Sequence, residues 1–481
     1  MTINTTTTAS LFIGGKWMAP DDGSSLEVRN PADGSVVGTV GYGGKVEAIA
    51  AVNAAQHAFT SWAALPARAR ADILVRVGGL LQERAEHIGY ILAQESGKRL
   101  PEGMAEVRFA AEYFRWFAEQ ARRPAGEIMP QEIANRRHLT LTQPMGVALC
   151  LTPWNFPVSI QARKVAPALA AGCTVVSRAS EKAPLAVIEM FHCLEDAGIP
   201  LGVANLIQGP AGETTSAMLA HSAVRVVSFT GSTEVGRLVM QQAAERIVRP
   251  LLELGGNAPF LVFGDADLDQ AVEGAMVAKF RNNGQSCIAA NRFLVQAPVF
   301  DEFVKRFATR INSMQLGNPV QEPIPDLGPV IDQRRKQAVA ALVTEAEAAG
   351  ARRVTESKNL PASGTFVAPA LFTNVPEHVG LARQEVFGPI AGVFSFETEE
   401  EAIRRANETE MGLAAYFYTR QLDRAWRVAE ALEAGILGLN SALPSVAYAP
   451  MGGVKQSGLG REGSHQGLEE FQEIKYVCTE L

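Results

Sequence analysis

Three short segments of this 481-residue chain hold side chains suited to covalent chemistry. Arg281-Asn-Asn-Gly-Gln-Ser-Cys287 sets a thiol after a polar, glycine-containing loop. Leu251-Leu-Glu-Leu-Gly-Gly-Asn-Ala-Pro259 sets Glu253 at a strand end beside two glycines, a carboxylate with little side-chain cover. Thr152-Pro-Trp-Asn-Phe-Pro157 holds Asn155 between prolines that stiffen the turn. A nucleophile, a base and an amide donor are the parts that acyl chemistry on a thiol requires. Taken singly, each has an ordinary reading: a buried cysteine, a strand-end ion pair, a turn asparagine. A fourth segment, Phe229-Thr-Gly-Ser-Thr-Glu-Val-Gly236, follows a β-branched run and opens a helix. There Gly231 permits close backbone approach, and Ser232 with the first helical N–H groups can hold an anion such as a pyrophosphate. It lacks the G-x-G-x-x-G spacing, so a plain strand-to-helix turn reads equally well.

These segments sit in a pattern that fixes where they must lie. From residue 146 onward, strand candidates at 147–151, 174–177, 203–208, 224–229 and 249–253 alternate with helical stretches. Strands recurring about every 25 residues with helices between them predict βαβ units and a doubly wound parallel sheet. In such sheets ligands bind beyond the carboxyl ends of the strands, so the loops just after strands are the places to search. Before this region, helical periodicity covers 45–62, 67–95 and 102–120, with Gly97 as a stop. A second α/β alternation starts near Asp265 and contains helices near 298–314, 333–349 and 422–434. The stretches 136–143 and 471–478 alternate outside both patterns and read as strands that could pair across a subunit boundary.

Composition narrows the function class. Hydrophobic residues make up 47% and charged residues 20% of the chain, enough to bury a large core. The net charge of −7 argues against nucleic acid and anionic membranes as partners. No apolar run approaches the roughly 20 residues of a membrane helix, and the N-terminus shows no signal-peptide pattern. Five widely spaced cysteines without a CxxC pair fit reduced thiols in a cytoplasmic setting, and no metal-ligand spacing is present.

Together and in this order, the segments resemble the NAD(P)-dependent aldehyde dehydrogenase superfamily over nearly the whole chain, as far as Met451-Gly-Gly-Val-Lys-Gln-Ser-Gly-Leu-Gly-Arg-Glu462. The resemblance implies an α/β fold. It has a doubly wound cofactor domain (1–124 and 144–254), a catalytic domain (255–462) and oligomerisation strands (125–143 and 463–481) that build a homodimer or homotetramer. It makes Cys287 the nucleophile, Asn155 an oxyanion donor together with the Cys287 N–H, and Glu253 the base that activates water. Lys164 and Glu462 fall where the family has proton-relay residues; a surface salt bridge is an equal reading for each. The cofactor contacts implied are Thr152, Trp154, Gly231, Ser232, Gly255, Glu385 and Phe387. The adenosine-ribose segment reads Ser177-Arg-Ala-Ser-Glu181, without the family's usual Lys-Pro, and assigns Arg178, Ser180 and Glu181 to the same site. Glu181 should bond ribose hydroxyls and favour NAD, whereas Arg178 could pair with a 2′-phosphate and admit NADP.

Within the superfamily the chain resembles succinate-semialdehyde dehydrogenases, through Lys279-Phe-Arg-Asn282, Arg163-Lys164 and the ending after Gly460. That likeness implies Arg163, Arg281 and Ser445 as a grip on a substrate carboxylate; structural ion pairs are the alternative for both arginines. Ala289, Met451, and Pro444 and Tyr448 in the loop 440–450 depart from the subfamily, so a larger or aromatic uncharged aldehyde is the competing expectation. From other classes, a cysteine esterase working without redox is disfavoured by the turn at 229–236. A purely structural role is disfavoured by the intact Cys287, Glu253 and Asn155.

Overall fold

A computed structural model describes residues 5–7, 9–123 and 125–480. In the first sheet Val147–Leu151 lies between Thr174–Arg178 and Val224–Thr230, with Ala204–Ile207 and Arg249–Glu253 outside them, all parallel. Val147–Leu151, Thr174–Arg178 and Ala204–Ile207 are buried at every residue, as strands covered by helices on both faces must be. Leu11–Ile13 and Lys16–Met18 extend one side of the sheet antiparallel. On the other side the two-residue strand Gly458–Leu459 pairs with Arg249–Glu253. The helix Pro157–Ala171 is buried along its whole length.

The helical stretch expected over 67–95 is two helices, Ala67–Glu83 and Ala85–Ser96, broken at Arg84 (φ −91°, ψ 10°). No glycine or proline marks the break. Arg84 is instead tied at 2.6 Å to Asp196 at the end of the helix Leu185–Asp196, against which both halves pack. Gly97 does end the second half, in the left-handed region at φ 75°.

The second alternation forms a seven-stranded sheet built from Arg352–Arg353, Ala370–Thr373, Ile390–Phe396, Ala290–Gln296, Ala258–Val262, Ala414–Tyr418 and Ile436–Leu439 in that order, parallel except for the first pair. The two alternating stretches form the strands Arg136–Pro144 and Gln472–Glu480. They pair with each other inside one chain, antiparallel from Gln472↔Pro144 to Glu480↔Arg136. Each strand thus finds one hydrogen-bond partner at the other end of the same chain. The ribbon still exposes Leu141, Ile474 and Tyr476. Among the described residues, no helix is long and apolar enough to cross a membrane, and no group of three or more metal-ligating side chains comes together.

Candidate active site

Val147–Leu151 and Val224–Thr230 are neighbours in space but not consecutive in the chain, and their connections leave in opposite directions. At such a switch point the two following turns part and leave a crevice. Asn155 and Trp154 come from one turn and Gly231 and Ser232 from the other. Gly255, Cys287, Glu385 and Phe387 close a cleft of about 140 Å³. Ser232 caps the helix Thr233–Ala244, its Oγ accepting from Val235 N at 3.3 Å. Cys287 departs from the search rule, because its loop precedes a strand, Ala290–Gln296, of the second sheet. That loop turns sharply: Asn282, Asn283 and Gly284 have φ of 53°, 58° and 76°. A Cβ on Gly284 would lie 2.4 Å from the Gly388 carbonyl, so only glycine fits there.

The thiol of Cys287 donates to Glu253 Oε1 at 3.2 Å. Burial, followed by the Glu253 charge, pushes the Cys287 pKa well up. Arg163 Nη2 donates to Glu253 Oε2 at 2.8 Å, and Arg163 Nε lies 2.5 Å from Glu462 Oε2. Glu462 Oε1 meets Lys164 Nζ and accepts from Ser228 Oγ at 3.0 Å, while Lys164 donates to Ser228 at 3.0 Å. Burial opposes the charge of Arg163, yet Glu462 and Glu253 hold its pKa above the ordinary value. Glu462 is likewise held below the usual carboxylate range, against its burial, by Lys164 and Arg163. The Lys164–Glu462 pair is 0% and 2% exposed, which overturns the surface salt bridge as its reading.

Of the three side chains expected around a substrate carboxylate, Arg163 and Ser445 share one neighbour, Tyr113. Arg163 faces Glu253 and Glu462, and Ser445 stands with it around the buried Tyr113 hydroxyl. Arg281 stands with its guanidinium 5.1 Å from the Phe156 ring centre, and its charge reaches Tyr416, whose hydroxyl donates at 2.8 Å to the carbonyl of Ile288 beside Cys287.

Asn155 is held from both sides. Its Nδ2 donates to Gln285 O at 3.2 Å, and its carbonyl accepts from Lys98 Nζ and from Asn282 Nδ2, each at 2.8 Å. Asn155 Oδ1 is buried without a partner. Lys98 is also ion-paired with Glu106, whose Oε1 accepts from Val158 N at 3.0 Å and Ser159 N at 3.2 Å and so caps the helix after the turn. Lys98, Glu106 and Asn282 escaped the sequence reading. Lys98 stands in the polar stretch 95–99 at the junction of two helices, where nothing in the local sequence marks it.

On the cofactor side, a Cβ on Gly231 would meet the Phe229 ring at 2.4 Å, and one on Gly255 would meet Glu385 Oε2 at 2.9 Å. Glu385 accepts from Gly256 N at 3.2 Å, and burial raises its pKa to about 7. Trp154 and Phe387 stand edge to face at 5.4 Å. Arg178 donates to the Gly209 carbonyl at 2.9 Å and to Glu181 at 3.0 Å, so its charge is already engaged by the neighbouring carboxylate. Ser180 Oγ accepts from Lys182 N at 3.4 Å. Thr152 is turned inward, donating to Gln161 at 2.7 Å, and does not line the cleft.

Residues 17–477 match the model of the aldehyde dehydrogenase family. The chain is 43% identical over 470 residues to the glutarate-semialdehyde dehydrogenase of Pseudomonas putida, covering 98% of this chain and 97% of the relative. It is 42% identical over 470 residues to the NADP-dependent succinate-semialdehyde dehydrogenase of Escherichia coli, with the same coverage. The crystal structure of a succinate-semialdehyde dehydrogenase from Burkholderia pseudomallei superposes with a TM-score of 0.96 at 44% identity, covering 98% of each chain. With a thiol, a carboxylate and an amide already meeting in one cleft, the chain belongs to the aldehyde dehydrogenase family.

Proposed function

We propose that the protein oxidises a short aldehyde bearing a terminal carboxylate, a four- or five-carbon semialdehyde, to the dicarboxylic acid with NAD(P). The observation that carries this is the Cys287–Glu253 pair at 3.2 Å with the Arg163 guanidinium directly behind it. An apolar aldehyde gives that cation nothing to bind, whereas an anionic tail pairs with it. The names of the P. putida and E. coli relatives point to the same substrate class.

The cleft suits a dinucleotide. Its glycines leave space where a Cβ would collide, and it opens at the amino end of a capped helix. Ser232 and Trp154 would hold the pyrophosphate, Glu385 and Phe387 the nicotinamide end, and Glu181 with Ser180 the adenosine ribose. When bound, NAD(P) supplies the hydride acceptor. Glu181 favours NAD, and Arg178, released from Glu181, would accommodate NADP. In the chemistry of the chain itself, Cys287 Sγ attacks the aldehyde carbon after losing its proton to Glu253. Asn155 Nδ2 stabilises the oxyanion. Glu253 releases that proton to solvent through the cleft, and as a carboxylate again it takes a proton from the water that hydrolyses the thioester. Glu462, Lys164 and Ser228 continue from Arg163 into the core as a charge network that would hold the base in place.

The first sheet with the N-terminal helices is the cofactor domain and the second sheet the catalytic domain. The exposed ribbon of Arg136–Pro144 and Gln472–Glu480 joins subunits in a dimer or tetramer. Five free thiols, three of them buried, suit a reducing, cytoplasmic compartment. The deciding measurement is kcat/KM for succinic semialdehyde against butanal. A ratio far above one supports carboxylate recognition. A ratio near one removes it and favours larger uncharged aldehydes, for which exposed Leu443 and Tyr448 at the mouth would be the contacts.

A further inference from the structure

Arg163 is 5% exposed on its side chain and lies between two carboxylates that are buried almost completely. One of them is the partner of the nucleophile. Glu253, Glu462, Arg163 and Lys164 make a set of four charges with no net charge, closed at its inner end by Ser228. Glu253 faces three other titratable or charged groups: Cys287 at 3.2 Å, Arg163 at 2.8 Å, and Glu385, whose charge also reaches it. Arg163 is the only cation that bonds Glu253 among the described residues. An anion entering beside Ser445 and Tyr113, the latter a neighbour of this guanidinium, would compete with Glu253 for it.

We propose that Arg163 switches from Glu253 to the carboxylate of the substrate, and that this exchange activates Cys287. The inference rests on the reading that the substrate carries a carboxylate. The entering anion takes the N–H donor that Glu253 holds in the free protein. Glu253, deprived of its buried cation, becomes the stronger base of the pair. The Sγ–H bond breaks and an O–H bond forms at Glu253 Oε1. Negative charge passes from the carboxylate to the sulfur, nothing is oxidised or reduced, and the site's net charge does not change in the transfer. The tail sits at Arg163, on the Glu253 side of the pair and one aldehyde chain from Sγ. Arg163 also favours charge on the Cys287 sulfur, but only Glu253 is bonded to it directly, at 2.8 Å, so the exchange costs the Glu253 charge more than the sulfur's. Glu462 keeps Lys164 and Ser228 throughout. An uncharged aldehyde offers no exchange, so selectivity appears in the rate of acylation as well as in binding.

The test supplies the anion separately from the aldehyde. The rate of Cys287 alkylation by iodoacetamide is followed in wild-type protein with added sodium acetate, against sodium chloride at equal ionic strength. Acetate is expected to accelerate alkylation saturably by about tenfold, the equivalent of one pKa unit. It should do so neither in Arg163→Met nor in Glu253→Gln. No acceleration in the wild type, or acceleration that survives Arg163→Met, overturns the switch. Should Arg163→Met fail to fold, the wild type alone decides through turnover. Acetate must raise kcat/KM for propanal, and simple inhibition overturns the proposal. The succinic semialdehyde to butanal ratio on the same preparation separates the two ideas. A high ratio without an acetate effect removes the switch and leaves carboxylate recognition standing, whereas a ratio near one removes both.

Discussion

Lys98 touches neither cleft nor nucleophile, yet its removal is expected to slow chemistry. In Lys98→Met the Asn155 carbonyl loses one of its two donors and Glu106 loses its cation. Breaking a buried pair from one side costs about 3–5 kcal/mol. Here the two N–H groups of Val158 and Ser159 still solvate Glu106, which places the loss toward the lower end. The catalytic share is smaller. Loss of one hydrogen bond to the turn is about 1 kcal/mol, while complete loss of an oxyanion donor lowers kcat by about 10²–10³. Asn282 still holds the same carbonyl, so a fall in kcat of about tenfold, or ~1.4 kcal/mol, is expected. Three assays isolate the cause. The pre-steady-state burst of reduced cofactor should slow, and alkylation of Cys287, which needs no oxyanion donor, should not. Combining Lys98→Met with Asn155→Ala should add almost nothing to Asn155→Ala alone. A kcat within about twofold of wild type beside a lowered urea midpoint would refute the reasoning. Fully multiplicative losses in the double variant would refute it equally.

Two further outcomes follow from the geometry. Glu385 has its pKa raised to about 7 by burial, so in the free enzyme it is increasingly neutral below that pH and accepts ribose hydroxyl bonds less well; kcat/KM for NAD should fall toward tenfold per pH unit below about 7, and the limb should vanish in Glu385→Gln. Gly256→Ala places a Cβ 2.5 Å from the Cys287 carbonyl and 3.2 Å from Leu413 Cβ, so the nucleophile's backbone must shift; kcat should drop at least tenfold while cofactor affinity, measured by fluorescence titration, holds.

The sequence pattern located the five parallel strands of the first sheet to within one or two residues, because β-branched and apolar runs recur between helices, whereas its short antiparallel strands Leu11–Ile13, Lys16–Met18 and Gly458–Leu459 carry no such repeat. Glu253 was legible for the same reason: it ends a strand. Individual strands of the second sheet were not. Ala258–Val262 follows the glycines without an alternating pattern, and Arg249–Glu253 so close before it reads as one element. Helix breaks fixed by tertiary contact, as at Arg84, leave no mark on local composition. Side-chain roles split along the same line. Cys287, Glu253 and Asn155 stand in recognisable motifs, but what each touches depends on partners 34 to 130 positions away. The likeness that names Arg163 and Arg281 likewise carries neither the contact of Arg163 with Glu253 nor that of Arg281 with the Phe156 ring.

The small strand Gly458–Leu459 has a bearing on how the enzyme comes into being. It pairs Gly458 with Glu253 and Leu459 with Leu252, while Leu254 N donates to Ser457 O at 2.9 Å and Ser457 Oγ donates to Gly255 O at 2.7 Å, a partner 202 residues earlier. Glu462, the far anchor of Arg163, follows immediately. During synthesis the base is therefore made long before the segment that clasps it. A nascent chain carrying Cys287 and Glu253 holds a cysteine without its finished surroundings until the ribosome has passed residue 462. Reactivity arrives late, as a property of the closed chain, and aldehydes met earlier find an unassembled site.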